Sequence, residues 1–250
     1  MKTNYPITWF DSIDSTNAEA RRELLELNKM SVIAARFQSA GRGQRGNTWQ
    51  SASGENLTFT IVLKYTDSLR VSSQEQFVVS EVSALSVRKY LKDAHGIDSK
   101  IKWPNDIYVG DRKICGMLIE NASTGTYLSS SIIGIGINLN QTDFPAGLLN
   151  PTSVALVRGG SYSIERELER FIETFTSTLR ELEAGNRDHL RHDYLEGLYR
   201  KDSPCQYKDY LSDTEFTGTI KGISDTGLLL VEMPDGKVKS FSFKEIGYIL

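Results

Sequence analysis

The chain has 250 residues, of which 39% are hydrophobic and 24% charged, with a net charge of −3. That length holds one large domain, or a domain with a small appendage, and the composition is that of a folded globular protein, without the basic surplus of a dedicated nucleic-acid binder. Cys115 and Cys205 make no disulfide framework, no stretch reaches the ~20 apolar residues of a membrane span, and the first residues, MKTNYPITWF, do not read as a signal peptide, so a cytoplasmic location is expected.

Residues 7–10 read as a short strand. A helix is expected next, with Thr16 and Glu19 at capping-box spacing and Leu24, Leu25 and Leu27 as its apolar stripe. Residues 32–37 read as a buried strand, 41–56 as a loop without periodicity, and 57–65 as another strand. Ser72 and Glu75 give a second capping-box spacing ahead of a helix carrying Phe77, Val78, Val82, Leu85 and Leu91, which ends near Gly96. Residues 101–120 look like a β-hairpin turning at Gly110-Asp111. Residues 127–139 form a long strand that contains Gly134 and Gly136, and glycine inside a strand marks the close approach of a backbone or ligand. Ile164, Leu168, Phe171, Ile172, Phe175, Leu179 and Leu182 recur at helical spacing, with Gly185 placed to cap the end, and a shorter helix follows to about residue 200. The texture changes at Asp202-Ser203-Pro204. Strands at 216–223, 228–233 and 238–243 alternate with turns such as Asp235-Gly236, which predicts a small β-barrel docked on the larger domain. The expected division is residues 1–200 and 201–250.

Four constellations carry chemistry. Gly41-Arg42-Gly43-Gln44-Arg45-Gly46-Asn47 offers backbone N–H groups and two guanidinium forks suited to a phosphate, although a flexible polar loop has the same composition. It lacks the Gly-Lys-Ser/Thr ending of a Walker loop and the strand–helix flanks of a dinucleotide fingerprint. In Lys102-Trp103-Pro104-Asn105-Asp106 the proline restricts the backbone, Asn105 can read a base edge, and Asp106 can hold Mg²⁺ through one carboxylate. Lys113 lies seven residues beyond, where a hairpin returns it toward Asp106 to stabilise charge on a carboxylate or α-phosphate. Asp14-Ser15-Thr16-Asn17 opens the first helix with neutral donors and acceptors that suit a polar uncharged head group, or simple capping. Gly134-Ile135-Gly136-Ile137-Asn138 leaves room for a ligand lying on a sheet, or packs a core strand. His95, His189 and His192 show no metal spacing, and there is no G-x-S-x-G nucleophile elbow, so the chemistry rests on positioning and electrostatics.

In this order, and together with Gln38-Ser39-Ala40 and Arg112-Lys113-Ile114-Cys115-Gly116, these motifs resemble the biotin protein ligase family over nearly the whole chain. The resemblance implies an α+β catalytic domain like that of class II aminoacyl-tRNA synthetases, a mixed β-sheet with helices, followed by an SH3-like barrel. It implies the short form without an N-terminal DNA-binding domain, because Asp14-Ser15-Thr16-Asn17 lies near the N-terminus. It implies that biotin and ATP form biotinyl-5′-AMP with Mg²⁺, and that biotin passes to a lysine of the biotin carboxyl carrier protein of acetyl-CoA carboxylase. By matching positions, Ser15, Thr16, Asn17, Gln38 and Gly116 would bind biotin. Gly41, Arg42, Gly43, Gln44, Arg45, Gly46, Trp49, Asn105 and Asn138 would bind ATP and the adenylate. Lys113, Asp106 and Arg42 would be catalytic, with Asp106 also on the metal. Many relatives carry arginine where this chain has Gln44, and basic residues at Asn47 and Thr48, so this loop holds less positive charge. A lipoate or octanoate ligase or transferase of the same fold, and a non-catalytic sensor of biotinyl-AMP, are the rival readings. No DNA or membrane partner is expected, and an edge strand of the sheet offers a route to a homodimer.

Overall fold

The computed structural model describes residues 5–249. Runs of β-branched and aromatic residues bounded by turn formers become strands, as pleated-sheet packing favours. Seven of them, β1 (Ile7–Phe10), β2 (Met30–Ala35), β3 (Leu57–Lys64), β4 (Lys100–Lys102), β5 (Asp106–Val109), β6 (Arg112–Thr124) and β7 (Tyr127–Ile137), form one sheet in the order β1-β2-β3-β7-β6-β5-β4. β1 runs parallel to β2 and the other pairs are antiparallel, so the sheet is mixed as expected.

Strand alternation gives the sheet two chemically different faces. Phe59, Ile61, Cys115, Ile133, Ile135 and Ile137 belong to the main core, together with residues of α2 (Val78–His95) and α4 (Ile164–Glu183). The Phe59 ring meets Phe171 of α4 at 5.1 Å. The positions between them, Thr58, Thr60, Gly116, Gly134 and Gly136, belong to the opposite face, where α1 (Thr16–Arg22) packs. Function is therefore expected on the face without α2 and α4.

The C-terminal segment forms a second, antiparallel sheet of β8 (Pro204–Asp209), β9 (Thr214–Ile223), β10 (Leu229–Glu232), β11 (Val238–Phe241) and β12 (Ile246–Tyr248), ordered β11-β10-β9-β8-β12. Trp103 fixes it to the first sheet: its indole N–H donates to the Gly227 carbonyl at 3.0 Å, and its ring meets Phe243 edge-on at 5.2 Å. Phe77 of the larger unit lies between Tyr194 of α5 (Arg187–Glu196) and Phe243, and Arg191 donates to the carbonyls of Ile223 and Ser224.

Several local expectations change. The first helix has only seven residues and ends before Leu24, Leu25 and Leu27; Leu25 is 90% exposed. Ser15, not Thr16, is its N-cap, and the Thr16 hydroxyl is spent on Gln38, so the capping box does not form. Ser72 caps a 3₁₀ turn over residues 73–75, and α2 starts later, at Val78. The 101–120 segment is three strands, with Trp103-Pro104-Asn105 turning between β4 and β5, while the expected Gly110-Asp111 turn joins β5 to β6. The sequence pattern missed β8, which opens on a proline, and the short α3 (Val154–Arg158).

Phe77 is 4% exposed and fills the joint between the two sheets. Phe77→Ala should cost about 3–5 kcal/mol of stability in urea unfolding, the range for deleting a buried aromatic ring; a loss under about 1 kcal/mol would show that the joint does not depend on it.

Candidate active site

Residues directly opposite one another on adjacent strands share a face. The register therefore defines one row across the sheet: Lys102 faces Asp106, Asp106 faces Gly116, Gly116 faces Gly136, and Gly136 faces Thr58. The next row on that face is Leu118, Gly134 and Thr60. A cation and a carboxylate thus end a floor made of glycine, and hydroxyls begin it.

Lys113 joins this face through an irregularity. Ile107 pairs with Cys115, but Tyr108 pairs with Lys113, leaving Ile114 as an extra residue in β6. With strict alternation from Gly116, Lys113 would point into the core; one inserted residue flips it to the side of Asp106. Ile114 and Cys115 are both fully buried, and the Lys113 ammonium stands 2.7 Å from Asp106 Oδ1. Backbone bonds from Lys113 N–H to the Asn150 carbonyl (2.7 Å) and from Thr152 N–H to the Lys113 carbonyl (2.9 Å) hold the strand end in place. Burial pushes the Cys115 thiol far above its usual range, so it supplies no thiolate.

Above the floor lies a cavity of about 440 Å³. It is lined by Ser15, Thr16, Asn17, Gln38, Arg42, Gly43, Gln44, Trp49, Asn105, Asp106, Lys113 and Gly116, so most residues singled out from the sequence converge there. At one end, Thr16 donates to Gln38 Oε1 from both N–H (2.7 Å) and hydroxyl (3.0 Å). Thr60 Oγ1 lies 2.6 Å from Asn17 Oδ1 and 2.8 Å from Thr16 Oγ1. Asn17 Nδ2 donates to the Leu118 carbonyl and to Glu120 Oε2. Gly134 makes this possible, because a Cβ there would overlap the Asn17 carboxamide. The Arg22 guanidinium beside Asp14 holds that carboxyl well below the usual carboxylate range, and Asp14 Oδ1 accepts from Ser15 N–H at 2.7 Å.

The glycine loop is ordered by its own backbone bonds. Gly43 N–H donates to the Asn47 carbonyl (2.7 Å) and Trp49 N–H to the Gly41 carbonyl (3.0 Å), so the loop folds back on itself. Gly41 is needed because a Cβ there would come within 2.5 Å of the Trp49 carbonyl, and Gly46 turns at φ +80°. Neither Gly41 nor Gly46 lines the cavity, and the Arg45 side chain lies outside the described residues. Arg42 does line it, with its guanidinium 3.5 Å from Glu120 Oε2. The Trp49 indole lies on the floor rather than over it: a Cβ at Gly136 would overlap its ring and one at Gly116 would approach it to 3.1 Å. Its buried indole N–H has no hydrogen-bond partner among the described residues.

Two asparagines serve the backbone. Asn105 Nδ2 donates to the Met117 carbonyl while its own carbonyl accepts from Met117 N–H (2.9 Å). Asn138, expected on the adenine side, is 5% exposed and outside the lining; its Nδ2 donates to the Thr152 carbonyl at 2.9 Å. Sequence reasoning missed Thr58 and Thr60, although both alternate with Phe59 and Ile61 and so mark a polar face. It also gave no role to Glu120, nor to Tyr210, Ile246, Gly247 and Tyr248, which the second sheet brings to the rim.

This geometry has close relatives. The model of the biotin/lipoate A/B protein ligase family matches residues 9–138, and that of the biotin protein ligase C-terminal domain matches 209–246. The biotin--[acetyl-CoA-carboxylase] ligase of Paracoccus denitrificans is 30% identical over 230 residues, covering 90% of this chain and 93% of that protein. The bifunctional ligase/repressor BirA of Bacillus subtilis is 29% identical over 246 residues, covering 94% of this chain and 72% of that one. The solved biotin protein ligase from Aquifex aeolicus in complex with biotin and ATP superposes with a TM-score of 0.80 at 22% identity, over 97% of both chains, which establishes the shared fold. The chain belongs to the biotin/lipoate A/B protein ligase family, on its biotin protein ligase branch.

Gly136→Ala should expel the indole from the floor and shift Trp49 emission to longer wavelength, read as the difference from a Trp49→Phe background; identical spectra would show that the indole does not rest there.

Proposed function

We propose that the chain activates biotin with ATP as biotinyl-5′-AMP and passes biotin to one lysine of a biotin carboxyl carrier protein, the acceptor subunit of acetyl-CoA carboxylase. The observation that carries this reading is the bulge-directed Lys113–Asp106 pair on a glycine floor, with the polar Thr16–Gln38 pair, backed by buried Thr60, at the other end of one cavity. The names of the Paracoccus denitrificans ligase and of the Aquifex aeolicus complex support the same substrates.

A carboxylate is a poor acyl donor until its oxygen is joined to a better leaving group. In the proposed first step the biotin carboxylate attacks the α-phosphate of ATP and pyrophosphate leaves. Lys113 offsets the charge on the carboxylate and then on the α-phosphate, and Arg42 swings from Glu120 to the phosphates. Ser15, Thr16 and Gln38 meet the ureido head, with Asn17 holding Thr60 and Gly116 forming the floor beneath the acyl chain. Gln44 and Asn105 border the nucleotide, and Trp49 leaves the floor to pack over it. In the second step the acceptor lysine attacks the mixed anhydride and AMP departs. Water would destroy that anhydride, so residues 41–53 act as a lid.

Asp106 suits Mg²⁺, which is commonly held by one or two carboxylates plus substrate phosphates. When bound, it would neutralise phosphate charge. We assign residues 1–200 to catalysis and 201–250 to a barrel that completes the rim, place the protein in the cytoplasm, and take β1, an end strand of the sheet, as the homodimer route; the other end strand, β4, bridges to Leu198. DNA recognition forms no part of the proposed role, and no helix among the described residues is long and apolar enough to cross a membrane.

Pyrophosphate release should depend on biotin and not on lipoate or octanoate, and biotin should appear on a purified carrier domain. Release with lipoate alone, or none with biotin, would move the chain to the rival readings. Lys113→Ala should lower kcat for pyrophosphate release at least about 100-fold, the scale of a lost transition-state charge contact, while calorimetry still shows biotin binding. Near-normal release would remove Lys113 from the mechanism. Biotin plus ATP should protect residues 41–53 from proteolysis; equal cleavage with and without them would argue against the lid.

A further inference from the structure

The floor row does not stop at Asp106. Lys102 continues it on β4, one strand spacing or about 4.8 Å further. Its ammonium is 5.1 Å from the centre of the Tyr108 ring and 4.7 Å from that of Tyr248. Cations over aromatic faces at such distances are held by the ring quadrupole. Tyr108 belongs to the same sheet, but Tyr248 belongs to β12 of the second one, where it packs edge-on against Tyr207 at 5.4 Å. Lys102 and Tyr248 both line the cavity. The Tyr248 hydroxyl is buried with no hydrogen-bond partner among the described residues, so what this residue offers the site is its ring.

We propose that Lys102 is a further catalytic residue, which neutralises the departing pyrophosphate, and that Tyr248 is a positioning residue through which the C-terminal sheet aims it. This rests on the adenylation reading above. Order along the row supports it: Thr58 lies at the β3 end, Asp106 and Lys113 follow on β5 and β6, and Lys102 lies beyond them on β4; with biotin at the hydroxyl end and reaction at Lys113, as the adenylation reading has it, the β- and γ-phosphates would extend toward Lys102. As the carboxylate oxygen bonds to the α-phosphorus, the bond from that phosphorus to the bridging oxygen breaks. Its electron pair goes to pyrophosphate, and the added negative charge develops beside the Lys102 ammonium; no proton need move. The second step contains no pyrophosphate, so Lys102 has no part in it.

The test uses the full chain with Lys102→Ala, Tyr248→Leu and Tyr248→Phe, thermal melting serving as the control for folding. Three readouts are compared: calorimetric binding of inorganic pyrophosphate, the ATP dependence of biotin-dependent pyrophosphate release, and transfer of biotin from synthetic biotinyl-5′-AMP to a carrier domain. Lys102→Ala should weaken pyrophosphate binding about tenfold and lower kcat/KM for ATP about 100-fold, with transfer from the preformed adenylate within about twofold of the parent chain. Tyr248→Leu should raise KM for ATP about tenfold, and Tyr248→Phe, which keeps the ring, should restore the parent values. Unchanged pyrophosphate binding by Lys102→Ala, an equal loss in both half-reactions, or a Phe variant as impaired as the Leu variant would each overturn the proposal. Biotin-independent behaviour of the parent chain would instead overturn the adenylation reading, and the binding arm would still judge Lys102.

Discussion

The site depends on one inserted residue in β6. A sheet alternates its side chains without exception unless a bulge intervenes, and Ile114 is that bulge. It brings Lys113 to the face of Asp106, over glycines whose missing side chains make room for the Trp49 indole and the Asn17 carboxamide. Buried on its core side by Ile114 and Cys115, the strand has little freedom to shift register back. The ion pair is only partly exposed, so its charges act in a medium less screening than water, where a fixed ammonium does most for a developing phosphate charge.

The second sheet belongs to the same construction. Trp103 lies in the turn that carries Asn105 and Asp106, and its indole is bonded to the second sheet at Gly227. Whatever fixes that sheet therefore also fixes the turn, and Tyr210, Ile246, Gly247 and Tyr248 reach the rim as a result. On the other side, the glycine loop closes on its own backbone and sets Trp49 on the floor. A ligand on Gly116 and Gly136 must displace that indole, so opening the loop and filling the site are one event in physical terms.

Much of this was legible in the sequence, for physical reasons. Helical periodicity over Ile164 to Leu182 is strong, and α4 follows it closely. The seven-residue interval between Asp106 and Lys113 correctly implied a returning hairpin, whereas Gly134 and Gly136 admit the side chains of Asn17 and Trp49, where the pattern had suggested a backbone or a ligand. Local pattern failed where tertiary bonds compete. Thr16 looks like a cap but bonds Gln38, and Asn138 looks like a ligand contact but bonds the Thr152 backbone. The glycines of residues 41–46 also let the loop bond to its own backbone, which the local composition does not announce. The Ile114 bulge has no local signature, because Lys-Ile-Cys reads the same with either face buried. The contact between Lys102 and Tyr248 spans 146 positions of sequence and is set only by docking of the second sheet.

If Arg42 and Lys113 converge on a single acyl-phosphate above the glycine floor, a crystal structure with a non-hydrolysable biotinyl-adenylate will show it. The Lys113 ammonium and the Arg42 guanidinium should both lie at charge-assisted hydrogen-bond distance, about 2.7–2.9 Å, from the phosphate oxygens, with Trp49 lifted off Gly136. A phosphate bound elsewhere, with Lys113 still on Asp106 and the indole still on the floor, would rule that convergence out.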